Sequence, residues 1–349
     1  MPFESPVIVE GAEASLVARV ESDVIIPGSS HEDLWVHPEL VCQRDAPHVC
    51  EVRARTTDRH GRDQHAESHY FRTEDDFRSL FPVESPSLPD WRFTAMKRED
   101  VVAGPAPAVQ LPADARWSWY MNYVHLDADT ILQPFYTDAS EGCRAVATLT
   151  ARLEGERAVL LRVSNARTNH CKRGFLEPHI AEHGGRHFMT VRAEDGRGYA
   201  MTSDDRGRRW SEPVPWTWDD GEVVAMDTTM TKLLAHTDGL LLVYTRIKED
   251  NRQYFRSRTP LLCADVDPAT LRIRRGTERV ILPNRSTSAG RGALSLGNFW
   301  VWPINADKSC VVVGEWPRDG RPQNGDIWLA KIYWRRANRA IHTDSQRVQ

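Results

Sequence analysis

The sequence predicts an all-β chain made of repeating four-stranded antiparallel sheets, and three observations predict it. Helical periodicity is nearly absent, while short runs of alternating or β-branched residues end at Gly, Pro, Asp and Asn turns. A strand-rich unit recurs roughly every fifty to sixty-five residues, a spacing that suits propeller blades. The octamer Ser203 to Trp210, S-D-D-R-G-R-R-W, is a hairpin turn with its own internal bonding. The expected fold is a single β-propeller over residues 1–349, and five and six blades both fit.

The octamer has a physical logic. Asp205 accepts backbone N–H groups of its own turn, Ser203 bonds within that turn, and Gly207 supplies a positive φ. Trp210 folds its ring back under the hairpin as an apolar plug. Strands flank it at His187–Arg192 and Gly198–Thr202 before, and at Ser211–Pro215 after. Ser, Asp, Gly and Trp at offsets of zero, two, four and seven match the Asp-box pattern, and the segment resembles one blade of a sialidase-like β-propeller. The motif describes scaffold, not chemistry.

Five units are legible in chain order. The first opens at Asp33–Glu39 and runs through His48–Arg55 and Glu67–Arg72. The second opens at Trp119–His125 and continues from Thr130–Tyr136 to Val163. The third, Phe175–Trp216, contains the octamer. The fourth opens near Met226–Thr229, with strands at Leu240–Arg246 and Pro260–Val266. The fifth opens at Leu296–Trp302 and closes with Asp326–Trp334. The remaining N-terminal strands, within residues 6–26, either pair with the last blade or contribute to a sixth. The polar tail, 339–349, is expected to fray.

Bulk composition narrows the function classes. A chain of 349 residues with 40% apolar content and twelve Trp can bury a large core. Net charge is −4 and the basic residues are scattered, which argues against a nucleic-acid or anionic-membrane partner. No apolar run is long enough to span a bilayer, and the N-terminus lacks a secretory pattern, so a cytoplasmic setting is expected. Six cysteines lack C-x-x-C spacing, which disfavours a zinc cluster and makes reduced thiols the default. Cys42 and Cys50 flank an apparent hairpin turn, where a disulfide is the minority alternative.

Functional groups gather at the unit openings, which in a propeller ring one mouth of the channel. Trp35-Val-His37-Pro-Glu39 sets an imidazole and a carboxylate on one strand face, and Leu176-Glu177-Pro-His179 repeats that arrangement. The second opening offers Tyr120, Asn122 and His125, with Gln133 on the next strand; the fourth offers Asp227. Glu177-Pro-His-Ile180 resembles the segment opening a catalytic blade in sialidase-like proteins and five-bladed glycosidases. That resemblance implies Glu177 as general acid. Glycosidic cleavage also needs a second carboxylate as base or nucleophile, for which Glu39 and Asp227 compete. His37 and His179 would orient groups.

Sialidases hold a substrate carboxylate with three arginines, whose planar forks match it bidentately. Arg192, Arg246 and Arg258 are the corresponding candidates here and imply an anionic sugar. The R-I-P sequence of true sialidases is absent, and Tyr120, Tyr244 and Tyr254 all compete as nucleophile. His65, Glu67 and His69 alternate along one face, but two strand positions four apart lie about 13 Å from each other and cannot share one metal ion. Their expected role is a solvated outer face.

The expected activity is thus exo-acting hydrolysis of a terminal glycosidic bond in an acidic oligosaccharide, with no cofactor and no metal. A propeller-fold lyase using a His or Tyr base on a uronate and a non-catalytic carbohydrate-binding propeller are the alternatives.

Overall fold

The computed structural model describes residues 7–28, 34–43, 46–57, 68–88, 91, 98–104, 110–116, 121–140, 142–155, 157–283, 294–317 and 325–342. The fold is all-β, with five sheets, each containing four antiparallel strands, as in a five-bladed β-propeller. That decides blade number in favour of five. Two compact units divide the chain: residues 1–91, 243–265 and 275–338 form the first, and 92–242, 266–274 and 339–349 the second.

Two complete sheets belong to the first unit. One has the lateral order Val7–Glu10, Val17–Ile26, Ile327–Trp334, Lys308–Pro317, Leu294–Asn305. The N-terminal strand Val17–Ile26 therefore pairs antiparallel with the last strand of the chain. The other sheet runs Leu34–Cys42, Cys50–Thr57, Ser68–Thr73, Phe81–Val83. Leu40, Val52, Trp300, Val312 and Leu329 pack between the two as one apolar cluster.

Cys42 and Cys50 are cross-strand partners, with Cα atoms 4.0 Å apart, and they form a disulfide. Reduced thiols were the sequence default, so this corrects it. The tight turn is responsible: Val49 N–H donates to Ala46 O and Gln43 N–H to Val49 O, which brings the two positions face to face.

Two sheets likewise complete the second unit. One contains Val101–Val102, Arg157–Val163, Cys143–Glu154, Thr130–Ser140 and Val124–His125 in lateral order. The other contains Leu176–His183, Arg186–Arg192, Gly198–Ser203 and Val214–Pro215. Trp210 is buried between them with Leu132, Val146, Ile180, Met189 and Met201. The strands of the fifth sheet lie between Thr217 and Leu282. Residues Arg339–His342 form a short 3-10 turn, and the rest of the tail lies outside the described residues.

The octamer bonds as its sequence requires. Asp205 Oδ1 accepts the N–H groups of Arg208 and Arg209 and the Ser203 hydroxyl, while Ser203 Oγ accepts Gly207 N–H at 2.9 Å. Gly207 has φ +74°, and a Cβ there would sit 2.5 Å from a Leu132 methyl. Trp210 Nε1–H donates to Thr148 Oγ1 at 3.0 Å.

A second copy of this turn occupies Thr73–Leu80 in the first unit. Asp75 Oδ1 accepts the N–H groups of Arg78 and Ser79 and the Thr73 hydroxyl, and Thr73 Oγ1 accepts Phe77 N–H. Phe77 takes the glycine position at φ +63°, and Leu80 takes the tryptophan position. The strained backbone is fastened from outside. Asp76 pairs with Lys308 and Lys331, and the Lys331 ammonium sits 5.9 Å from the Phe77 ring centre.

Candidate functional site

The second unit holds Glu177, His179, Arg192 and Asp227, and it sets Arg192 against Glu177. Strand Leu176–His183 begins with a bulge, because the register against Arg186–Arg192 shifts between Leu176 and His179. Pro178 has no N–H for the ladder, and Glu177 takes the left-handed φ of +47°. The displaced Glu177 N–H donates to the Tyr136 hydroxyl. Its carboxylate turns to Arg192, whose Nη1 lies 2.8 Å from Oε2. The remaining face of that guanidinium donates through Nε to Thr228 Oγ1 at 2.7 Å. Both partners are largely buried, with side-chain exposures of 13% for Glu177 and 5% for Arg192.

The stretch from Asp227 to Leu233 lies against this pair. Thr228 holds Arg192, Thr231 Oγ1 hydrogen-bonds Thr190 Oγ1, and Leu233 N–H donates to His179 Nδ1 at 3.3 Å. Asp227 is half-buried one residue before Thr228, so the second carboxylate candidate shares the segment that grips Arg192. Since His179 Nδ1 accepts a proton bond, its imidazole is neutral with the proton on Nε2. Burial, reinforced by the Lys232 charge, pushes His179 well below the usual histidine range. Lys232 is fully buried, and burial brings it down to about 7 against the opposing pull of Glu177.

Tyr136 is 4% exposed, and burial together with the Glu177 charge raises it above the usual phenol range. It is therefore a neutral anchor. Arg144 lies over its ring, 5.7 Å from the centre. At the edge, Arg173 holds the Glu194 carboxyl down at about 2.

Other predicted residues stand apart from Glu177. Asn122 accepts Ile180 N–H at 2.8 Å and donates back to Ile180 O, and Gln133 donates to Asn122 O at 3.2 Å. Both spend these polar groups on fastening the strand. His125 packs edge-on to Tyr123 and lines an open pocket of about 400 Å³ with Asp127, Glu182, His187 and Arg206. Glu182 lies five residues beyond Glu177, about 16 Å along an extended strand. Tyr120, His65 and Glu67 lie outside the described residues; His69 is half-buried.

The first unit holds the rest. Glu39 is fully buried and ion-paired with Arg53, whose guanidinium faces the Trp91 ring; His37 is half-buried two residues earlier. Arg246 is bound through Nε to both carboxylate oxygens of Glu278, at 2.8 and 3.0 Å. Arg258 is buried near the Phe255 ring, in a loop whose carbonyls are gathered by Asn251 Nδ2. Tyr244 is fully buried, which pushes it far above the usual phenol range, and Tyr254 is buried as well. Among the described residues, no three His, Cys, Asp or Glu side chains converge as a metal site requires.

Tyr136, Thr228 and Lys232 were not anticipated from the sequence. Only Lys232 left a trace there, as a charged residue between the Thr-rich run and the apolar Leu233-Leu-Ala235.

No protein-family model matches the chain, and no curated protein matches it. Solved structures do resemble it. A Trypanosoma rangeli sialidase in complex with the inhibitor DANA is 11% identical, with a TM-score of 0.44 over 94% of this chain and 58% of that one. A glycosyl hydrolase from Bacteroides ovatus is 13% identical, with a TM-score of 0.45 over 97% and 96% of the two chains. A protein of unknown function from Dyadobacter fermentans is 11% identical, with a TM-score of 0.43 over 95% of each. The chain thus spans 58% of the length of the sialidase it resembles. These likenesses concern the fold.

Proposed function

We propose that the protein is an exo-acting glycoside hydrolase that cleaves a terminal, anionic sugar from an oligosaccharide, with Glu177 as its acid–base carboxylate. The observation that carries this reading is the Glu177–Arg192 pair, 2.8 Å apart and largely buried at a strained strand opening. Backbone strain of this kind persists only where its surroundings enforce it, and it concentrates at functional sites.

The pairing has a chemical consequence. A guanidinium in contact favours the ionised carboxylate, whereas a general acid must carry a proton. An anionic sugar reconciles the two. Its carboxylate competes for Arg192, Glu177 loses its counter-ion, and a proton on Glu177 becomes favourable only when substrate is present. Glu177 then protonates the leaving oxygen and afterwards accepts a proton from the attacking water. Asp227, carried beside Thr228, is the second carboxylate, in preference to Glu39, which is enclosed with Arg53.

The test is a panel of uronate-, sialate- and rhamnose-containing oligosaccharides, with product mass as the readout. Hydrolysis adds one water across the bond; elimination yields an unsaturated product without that gain and would mark a lyase. Glu177→Gln is expected to abolish turnover while retaining binding. Binding of a panel member without any wild-type turnover would mark a carbohydrate-binding module instead.

A further inference from the structure

The open pocket of about 400 Å³ lies at the end of strand Leu176–His183 away from Glu177, and the chemistry assigned to Glu177 leaves it unused. Its size falls near the lower end of the roughly 300–1,000 Å³ of small-molecule sites. Glu182 and His187 are cross-strand partners, which puts a carboxylate and an imidazole side by side on one face of the sheet. Arg206, the fourth residue of the Ser203–Trp210 turn, donates to Asp127 and to the Leu126 carbonyl. His125 adds a further wall, its ring edge-on to Tyr123.

The charges of this pocket do not balance. Arg206 is engaged with Asp127, while Glu182 pairs with no cation among the described residues. Arg186, in the same hairpin, is bonded to Asp204 and to the Pro268 carbonyl instead. Glu182 is half-buried, and the Gly185 N–H holds its Oε1 at 2.8 Å, which leaves Oε2 for a ligand. Gly184 and Gly185 turn at positive φ, and a Cβ on either would meet nothing within 4 Å, so the rim beside Glu182 is open. An anionic ligand would meet two carboxylates and one guanidinium already in use. A metal ion would lack three converging ligands among the described residues. A half-buried carboxylate without a cation suits an ammonium, and the mixture of donors and acceptors around it suits hydroxyl groups.

We propose that this pocket binds a small ligand carrying an ammonium beside hydroxyl groups, the chemistry of a hexosamine unit. The ammonium donates to Glu182. Hydroxyls on neighbouring carbons donate to Asp127 and accept from Arg206, with His125 and His187 lining the ring. The site is separate from Glu177 and holds whether or not Glu177 serves a glycosidase.

Calorimetric titration of the full chain with glucosamine, N-acetylglucosamine and glucose at pH 7 tests this. Only glucosamine carries the ammonium. It is expected to bind about tenfold more tightly than either neutral sugar, the value of one charge-assisted hydrogen bond. Glu182→Gln keeps an oxygen for the Gly185 N–H and loses only the charge, so it should erase that preference, whereas Glu177→Gln should retain it. Equal affinity for the three sugars, or no binding of glucosamine, would overturn the proposal. So would a preference that survives Glu182→Gln, or one lost in Glu177→Gln, which would put the ammonium at the other end of the strand. A co-crystal structure of the wild type with glucosamine decides the matter even if Glu182→Gln does not fold. The sugar is expected against Glu182 and Asp127, and a sugar bound only elsewhere would overturn the assignment.

Discussion

Glu177 and Arg192 face each other across a one-residue bulge, 2.8 Å apart, with Glu177 held at φ +47°. The bulge aims the side chain away from the ladder, and Tyr136 takes the N–H that the ladder gives up. A strained residue, a buried charge pair and an off-ladder hydrogen bond therefore depend on one another.

Removing one charge should expose that dependence. Arg192→Met leaves a buried carboxylate without its partner and is expected to cost about 3–5 kcal/mol in urea unfolding. The double variant Glu177→Gln/Arg192→Met should recover most of this loss. Additive single-variant losses would mean that the two side chains are not coupled.

Tyr136→Phe tests the anchor. It deletes the acceptor of the Glu177 N–H and should destabilise the protein by about 1–3 kcal/mol. If Glu177 is the acid–base group, kcat should fall by more than the fraction of unfolded protein explains. A Tyr136→Phe protein with lower stability and unchanged kcat would make the anchor purely structural.

What could be read from the sequence follows from the range of the interactions involved. The Ser203–Trp210 turn was legible because its bonds close within eight residues. Its degenerate counterpart at Thr73–Leu80 was not. Phe77 and Leu80 replace the two marker residues, and the compensating Lys308 and Lys331 lie more than two hundred positions away. Within the candidate site, Glu177 stood out by residue type at a strand opening and Arg192 at a strand end. Tyr136 and Thr228 reach Glu177 and Arg192 from distant parts of the chain, and Lys232 is buried on a further strand, none of which a local pattern encodes. The Cys42–Cys50 bond depended on a cross-strand register that the turn residues alone left open.

The two turns should respond differently to glycine chemistry. Gly207→Ala introduces a methyl 2.5 Å from Leu132 at φ +74° and is expected to destabilise by about 1–3 kcal/mol. Phe77→Gly relieves the same backbone angle but loses the ring near Lys331, so its effect should be smaller. Thermal unfolding of both variants checks the contrast.

Reduction tests the disulfide. An eight-residue spacing between the linked positions predicts that Cys42→Ser/Cys50→Ser loses about 2–3 kcal/mol relative to the oxidised wild type. Wild-type protein unfolding at the same urea concentration with and without reductant would show that the bond does not constrain the chain.

The buried lysine makes the most specific thermodynamic prediction. Lys232 releases its proton at about 7 in the folded state and at the ordinary 10.5 when unfolded. Between these values the unfolded chain binds more protons, so folding stability must rise with pH, by at most about 1.4 kcal/mol per unit from this group. The penalty is complete below the folded value and gone above the unfolded one. Lys232→Met removes it, so the variant should be more stable than wild type at pH 6, with the difference shrinking steadily towards pH 10. Urea unfolding of both proteins across that range measures the difference directly. Glu177→Gln removes the charge that favours the ammonium, which lowers the folded value further and extends the same slope below pH 7. A stability difference between wild type and Lys232→Met that is flat across the range would show that Lys232 titrates like an exposed lysine.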